Sequence, residues 1–276
     1  MSSTRSKKVR GQPPKFTART ADKHELYELS VQQADVDVKF VDRIFKKRHD
    51  RVPLLLREDF CGTAWMCAEW VLSHKERRAV GLDLDQDTMD WGWQKHMVPL
   101  GEDARRVKLV RRNVLKGWKE AADVVVAFNF SYCTFHTRAE LLGYFRAVHE
   151  SLADDGLFLL DIYGGPDAQC ELDEERDKED FTYVWDQRTL DAVNNRAIRH
   201  IHFVFKDGSR LKKAFTYDWR IWSLPEMRDV LIDAGFAAVD VYWEGSDAEG
   251  EGNGVFRKVE KADNEEAWIS YVAAWK

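Results

Sequence analysis

From residue 53 onward, short apolar runs alternate with longer stretches that place apolar residues on one side at helical spacing. The runs predict buried strands at 53–59, 79–83, 107–110, 123–130 and 156–163, and the longer stretches predict helices at 64–73, 86–97 and 138–152. Short buried strands alternating with helices imply a parallel sheet covered on both faces. The rhythm resumes with a helix at 224–234, which has Pro225 in its first turn and Gly235 at its stop, and with strands at 238–243 and 267–275. Upstream, Leu26, Leu29, Val36, Phe40, Val41, Ile44 and Phe45 fall at helical spacing, in two helices that would cap the sheet.

A different pattern interrupts this rhythm after Gly164-Gly165-Pro166. An acidic run over 171–180 leads into three segments of strand character, 181–189, 196–206 and 210–221. Asp207-Gly208 between two of them is a strong hairpin signal. In the third, Leu211, Lys213, Phe215, Tyr217, Trp219 and Ile221 alternate with more polar positions, which predicts an antiparallel insertion with one packed face. The expected organisation is a basic, disordered tail at 1–21, a helical cap at 22–51, an α/β core at 52–163, the β insertion at 164–222 as a lid or dimer contact, and the rest of the core at 223–276. The region 244–266 reads as a polar loop. Its glycines between Glu244 and Arg257 suit a tight turn at a site mouth, a dimer contact or a flexible surface loop.

The first core strand ends in chemistry. Leu54-Leu55-Leu56-Arg57 delivers Glu58 and Asp59 to the strand's carboxyl end, where Phe60-Cys61-Gly62-Thr63-Ala64 turns into a helix. Open α/β sheets bind ligands at such strand ends. Two acids there suit the hydroxyls or ammonium of an adenosine-type ligand and repel phosphate, which argues against a nicotinamide dinucleotide. One strand later Ala79-Val80-Gly81-Leu82 ends in Asp83, placed to accept hydrogens from a ribose, with Asp85 as the alternate.

Composition narrows the setting. The 276 residues are 44% hydrophobic and 33% charged, which supports a large core and a hydrated surface. No apolar run approaches the roughly 20 residues that span a bilayer, and no signal peptide is evident, so a cytoplasmic protein is expected. The net charge is −6, yet Arg5, Lys7, Lys8, Arg10, Lys15 and Arg19 carry all the charge of residues 1–20, leaving about −12 on the remainder. That acidic body disfavours nucleic acid, although the tail could serve as a nucleic-acid arm. Cys61, Cys67, Cys133 and Cys170 lack zinc-type spacing and read as reduced thiols, Cys61 as a lining residue more readily than a nucleophile. No metal site is expected.

Leu-Arg-Glu-Asp-Phe-Cys-Gly-Thr-Ala, Val-Gly-Leu-Asp, Arg-Arg-Asn-Val and Val-Val-Val-Ala-Phe-Asn-Phe-Ser, in that order, resemble the class I S-adenosylmethionine-dependent methyltransferases of small-molecule type. The resemblance covers about 53–163 and resumes from about 224. It implies a doubly wound, mostly parallel seven-stranded sheet of the Rossmann-like α/β class, S-adenosyl-L-methionine as cofactor, and methyl transfer to a small molecule. Where the family's turn usually reads acid-x-Gly-x-Gly-x-Gly, Glu58 matches the acid and Gly62 the middle glycine. Phe60 and Ala64 replace the outer glycines, and Phe60 is expected to take an ordinary negative φ and crowd the methionine moiety. The resemblance implies that Glu58 and the backbone of Cys61, Gly62 and Thr63 face the methionine. Asp83 would hold the ribose, with Leu84 against adenine and Asn113 and Val114 at its amino edge. Asn129, Phe130 and Ser131 would lie beneath the sulfonium, with Tyr27 closing over it.

On the acceptor side, Tyr132, His136 and Tyr163 are the catalytic candidates, with Asp161, His200, His202, Tyr217, Trp219 and Arg220 nearby in the expected topology. Some of the 11 Trp residues would line a cage for a cationic amine. The paired His200 and His202 suit a metal or base, although Lys206 on the same face favours a solvated surface. Alternatives are RNA or protein methylation using the basic tail, and a non-catalytic S-adenosylmethionine-binding protein. A homodimer is possible.

Overall fold

The computed structural model describes residues 15–247 and 252–276. Two helices, α1 (Lys23–Val31) and α2 (Ala34–His49), precede the first strand, β1 (Leu55–Asp59). The chain then alternates through α3 (Trp65–Ser73), β2 (Arg78–Asp83), α4 (Gln86–Gly92), β3 (Val107–Arg111), β4 (Ala122–Ala127), α5 (Arg138–Ser151) and β5 (Leu152–Gly164). An inserted sheet of β6 (Leu172–Asp177), β7 (Phe181–Asp191), β8 (Arg196–Phe205) and β9 (Arg210–Arg220) follows. Helix α6 (Leu224–Asp233) and strands β10 (Ala238–Ser246), β11 (Gly252–Val259) and β12 (Trp268–Trp275) complete the fold.

The main sheet has the order β11-β10-β12-β5-β4-β1-β2-β3. Strands β1 to β5 are parallel to one another, whereas β12 runs antiparallel between β5 and β10. The order reverses between β1 and β4, so the carboxyl ends of these two strands flank the crevice of an open α/β sheet. Two layers of side chains clothe the sheet. Leu55, Val125, Phe158 and Val272 meet α5 and α6 on one face, and Leu56, Val124, Leu159 and Ala273 meet α2 and α3 on the other. Side chains alternate across a strand, which is why consecutive apolar residues are needed to fill both layers.

Local signals fix the helix starts. Asp22 caps α1, and Thr137-x-x-Glu140 and Ser223-x-x-Glu226 form reciprocal capping boxes at α5 and α6. Helix α4 continues into a π-helical turn over Trp93–Met97, so the expected single helix at 86–97 changes its winding halfway.

The sheet has eight strands rather than the expected seven. Gly252–Val259, expected as loop, pairs antiparallel with β10, and the Glu244 carboxylate accepts the Gly254 N–H at 2.7 Å. Strand β4 stops at Ala127, short of the expected 130, because the next residues turn into left-handed backbone. The acidic run supplies a fourth strand to the insertion: in β6 only Leu172 and Glu174 are half-buried, and pairing with β7 satisfies the backbone despite the charges. The packed chain also begins before residue 22. Phe16 is buried against Phe181, and Ala18 N–H donates to Ser209 Oγ at 2.9 Å. The remainder of the expected basic tail, 1–14, lies outside the described residues. No helix among the described residues is long and apolar enough to cross a membrane.

Candidate functional site

The two acids ending β1 part to opposite faces. Asp59 goes into the core, accepting hydrogen bonds from Arg57 Nη2 and the Tyr144 hydroxyl, both at 2.9 Å. It ties β1 to α5. Glu58 goes to the other face, where it accepts the Cys67 N–H in the first turn of α3 at 3.1 Å. Burial raises its pKa to about 7.

The turn after β1 keeps a glycine-type path without the glycines. Phe60, Gly62 and Ala64 have φ of +58°, +51° and +56°. The expectation of a negative φ at Phe60 is therefore corrected. Its ring does not crowd the crevice; it packs 5.7 Å from Tyr144 and 6.1 Å from Phe135. At the end of β4, Asn129 and Phe130 are also left-handed, at +56° and +57°. Left-handed backbone costs a side-chain-bearing residue of order 1 kcal/mol, so it persists only where neighbours impose it. Four such residues at the two strand ends flanking the crevice make it the candidate functional site.

Two carboxylates impose these turns. Asp83, ending β2, takes the Gly62 N–H on Oδ2 at 2.8 Å and the Leu84 and Asp85 N–H groups on Oδ1 at 2.7 and 2.9 Å. Asp161, in β5, takes the Asn129 and Phe130 N–H groups at 2.8 and 3.0 Å. Burial raises the Asp161 pKa to about 7. Asp161 is the cross-strand partner of Tyr271, whose hydroxyl donates to Asp37 of α2 at 2.7 Å. Desolvation carries Asp37 to about 6. Glu58, Asp161 and Asp37 thus gather near one face of the crevice, and among the described residues none of them forms an ion pair.

The other expected ligand groups line the same edge. Leu84 is 60% exposed beside Asp83, as an apolar plate would be, and Val114 is buried behind Asn113. The Asn113 side-chain oxygen accepts the Leu115 N–H at 2.9 Å, so it also stabilises its own turn. Ser131 Oγ donates to the Phe128 carbonyl at 2.8 Å. Asp85, the alternate ribose candidate, caps α4 through Thr88. Cys61 is buried, with desolvation holding its thiol well above the usual range, which disfavours the thiolate form a nucleophile needs.

Helix α1 lies against the turn after β1. Glu28 accepts the Thr63 hydroxyl at 2.6 Å and lies 2.6 Å from His96 Nε2, whose ring stacks on Trp65. Tyr27, one residue earlier, packs 5.0 Å from Phe215 of the insertion, with its hydroxyl beside that of Tyr217.

The catalytic candidates separate. Tyr163 ends β5 against Phe130, 4.6 Å between rings, and Trp219 stands 6.2 Å from Phe130. Tyr132 packs in the core at 1% exposure, because the helical turn after Phe130 carries it inward. His136 Nε2 bonds the Asp218 carbonyl at 2.8 Å on the flank between the insertion and α5. Arg220 packs over Trp222 there and bonds Glu226. His200 and His202 engage Thr216 and Asp186 within the inserted sheet.

No family model matches the chain, and no curated protein sequence does. Solved structures do. An S-adenosylmethionine-dependent methyltransferase from Clostridium acetobutylicum ATCC 824 is 15% identical, with 91% of this chain and 96% of that one covered and a TM-score of 0.66. CalS10, an amino pentose methyltransferase from Micromonospora echinaspora solved with S-adenosylmethionine bound, is 14% identical over 96% and 99% of the two chains, with a TM-score of 0.65. The sugar N-methyltransferase KedS8 from Streptoalloteichus sp ATCC 53650 is 15% identical over 100% and 99%, with a TM-score of 0.62. The fold is that of the S-adenosylmethionine-dependent methyltransferases.

Within this methyltransferase fold, the donor set suits a cofactor with a ribose, an adenine and two cationic centres. Asp83 keeps about one of its four acceptor sites open. Leu84 offers an apolar plate, and three carboxylates without partner cations lie near the crevice. Sequence patterning passed over Asp37 and Tyr271 because each lies on an element that reads as scaffold. Gly92 was also missed: a Cβ there would overlap the Thr63 carbonyl, so this glycine lets α4 press against the turn. No spacing signal marks it.

Proposed function

We propose that this protein is an S-adenosylmethionine-dependent methyltransferase acting on a small-molecule acceptor at an amine nitrogen. The observation that carries the reading is the left-handed turn at Phe60, Gly62 and Ala64, tied to Asp83 across the first two strands. CalS10 and KedS8, whose names give an amino pentose and a sugar N-methyltransferase, support a nitrogen acceptor. Glu58 and the backbone of residues 61–63 would hold the methionine portion, Asp83 a ribose hydroxyl, and Leu84, Asn113 and Val114 the adenine.

When bound, the cofactor supplies an electrophilic methyl on a sulfonium. The chain's own part is alignment, exclusion of water and acceptance of a proton. An amine held in line with that methyl would take it through its lone pair, with the thioether as leaving group, so the chain need only orient the amine and accept its proton. Helix α1 covers the crevice through Glu28 and Tyr27, and the aromatic wall of Phe130, Tyr163 and Trp219 keeps the acceptor side dry. Asp161, with its raised pKa, is the group beside that wall suited to take the amine proton.

The packing of α1 and the inserted sheet around the crevice favours a small acceptor over RNA or protein. We take the site of action to be a reducing cytoplasm, in keeping with three buried free cysteines. The test is calorimetric titration with S-adenosylmethionine, S-adenosylhomocysteine and nicotinamide dinucleotides, followed by turnover on an amine panel. Binding of the first two alone, with thioether release on an amine, is the expected outcome. Tight cofactor binding without turnover would favour a non-catalytic binder, and preference for a dinucleotide would overturn the reading.

A further inference from the structure

Among the described residues three arginines are fully buried: Arg57, Arg77 and Arg199. The first two face carboxylates, Asp59 at 2.9 Å and Asp42. Among the described residues, Arg199 forms no ion pair. Its Nη1 donates to the carbonyls of Arg188 and Ile198 at 2.9 and 3.3 Å and its Nη2 to that of Ala168 at 2.7 Å, while its Nε has no partner. A guanidinium cannot shed its proton, and a buried charge without a counter-ion opposes folding.

The position is equally specific. Arg199 lies on the inner face of β8 between Ala197 and Ile201, both buried, with Gln187 and Tyr217 as its cross-strand partners. It acts on Tyr163, where it favours negative charge against the effect of burial. The Tyr163 hydroxyl is itself buried and without a hydrogen-bond partner. Tyr163 follows Asp161 by two residues on β5 and packs on Phe130, whose N–H Asp161 holds. A buried guanidinium without an ion pair therefore backs the buried Tyr163 hydroxyl, two residues along β5 from a carboxylate without a partner cation.

We propose that the acceptor is a zwitterion, an amine bearing its own carboxylate, with the carboxylate bound by the Tyr163 hydroxyl backed by Arg199 and the amine turned toward Asp161. This rests on the methyltransferase reading and names the substrate class of that same site. Tyr163 is the binding group, and Arg199 is a positioning residue that acts through it.

The test uses the full chain saturated with S-adenosylhomocysteine and titrated with pairs differing by one carboxylate: glycine and methylamine, alanine and ethylamine, phenylalanine and phenethylamine, histidine and histamine. For at least one pair the amino acid should bind about tenfold or more tightly than its amine. Tyr163→Phe should cut that preference below about threefold while leaving S-adenosylhomocysteine affinity unchanged. Arg199→Met should abolish the preference, and Arg199→Lys should restore part of it. S-adenosylhomocysteine binding with no discrimination in any pair, or discrimination surviving Tyr163→Phe, overturns this inference alone. Failure to bind S-adenosylhomocysteine overturns the methyltransferase reading and this inference with it.

Discussion

Replacing Asp83 by alanine separates two jobs that one carboxylate performs. Its oxygens already accept three backbone N–H groups, from Gly62, Leu84 and Asp85. An ionised carboxylate has about four acceptor sites, so about one remains for a ribose hydroxyl. One charge-assisted bond is worth about 1.5–3 kcal/mol, which is about 10- to 150-fold in Kd. The Leu84 and Asp85 N–H groups are exposed and rehydrate when the carboxylate is removed. The Gly62 N–H is half-buried, and orphaning it costs about 1–3 kcal/mol of stability. Asp83→Ala should therefore weaken S-adenosylhomocysteine binding by one to two orders of magnitude and lower the urea midpoint together. Asp83→Asn retains one acceptor oxygen and should fall between. Asp85→Ala, which removes only the cap of α4, should lower stability with little change in affinity. Calorimetry at fixed salt paired with urea unfolding measures both. An Asp83→Ala affinity within about twofold of wild type would refute the ribose role, and an equal loss in Asp85→Ala would assign the effect to the turn alone.

The pH dependence of stability offers a second check. Asp161 has a folded-state pKa of about 7 against about 4 for an unfolded aspartate, so its contribution is full below about pH 4 and is lost as pH rises through 7. Asp161→Asn should consequently gain stability relative to wild type as pH rises from 5 to 7.5, by up to about 1.4 kcal/mol per unit, while the buried histidines cancel in the comparison. A pH-independent difference in urea midpoints would contradict the raised value. Gly92→Ala should destabilise the chain by about 1–3 kcal/mol or more and reduce S-adenosylhomocysteine affinity, since the new methyl displaces Thr63; unaltered melting would disprove the close packing. His136→Gln should lower turnover less than about threefold, because Nε2 is spent on the Asp218 carbonyl; a loss of about a hundredfold would restore His136 as a base.

The core strands were legible because consecutive apolar residues such as those at 124–127 leave no polar face to hydrate. Glu58, Gly62 and Asp83 were legible because acids at strand tips and a glycine between them are local features. What escaped was set at a distance. Strand β11 carries glycines and charges, and only its pairing with β10 makes it a strand. The conformation of Phe60 cannot be read from its identity, since phenylalanine ordinarily avoids that region. Asp37 and Tyr271 are 234 positions apart and meet only through packing of α2 on β12. The burial of Tyr132 is also set by context, because the turn over Ser131–Thr134 carries it from the end of β4 into the core.

A glycine carries its left-handed bend wherever the chain goes, whereas Phe60, Ala64, Asn129 and Phe130 must be held in theirs. The holding carboxylates stand 21 to 32 residues away, Asp83 for the first turn and Asp161 for the second. The cavity floor is therefore among the last parts of the molecule to take shape during folding, after β2 and β5 have docked. A nascent or partly unfolded chain can possess most of its secondary structure and still have nowhere to seat a nucleoside.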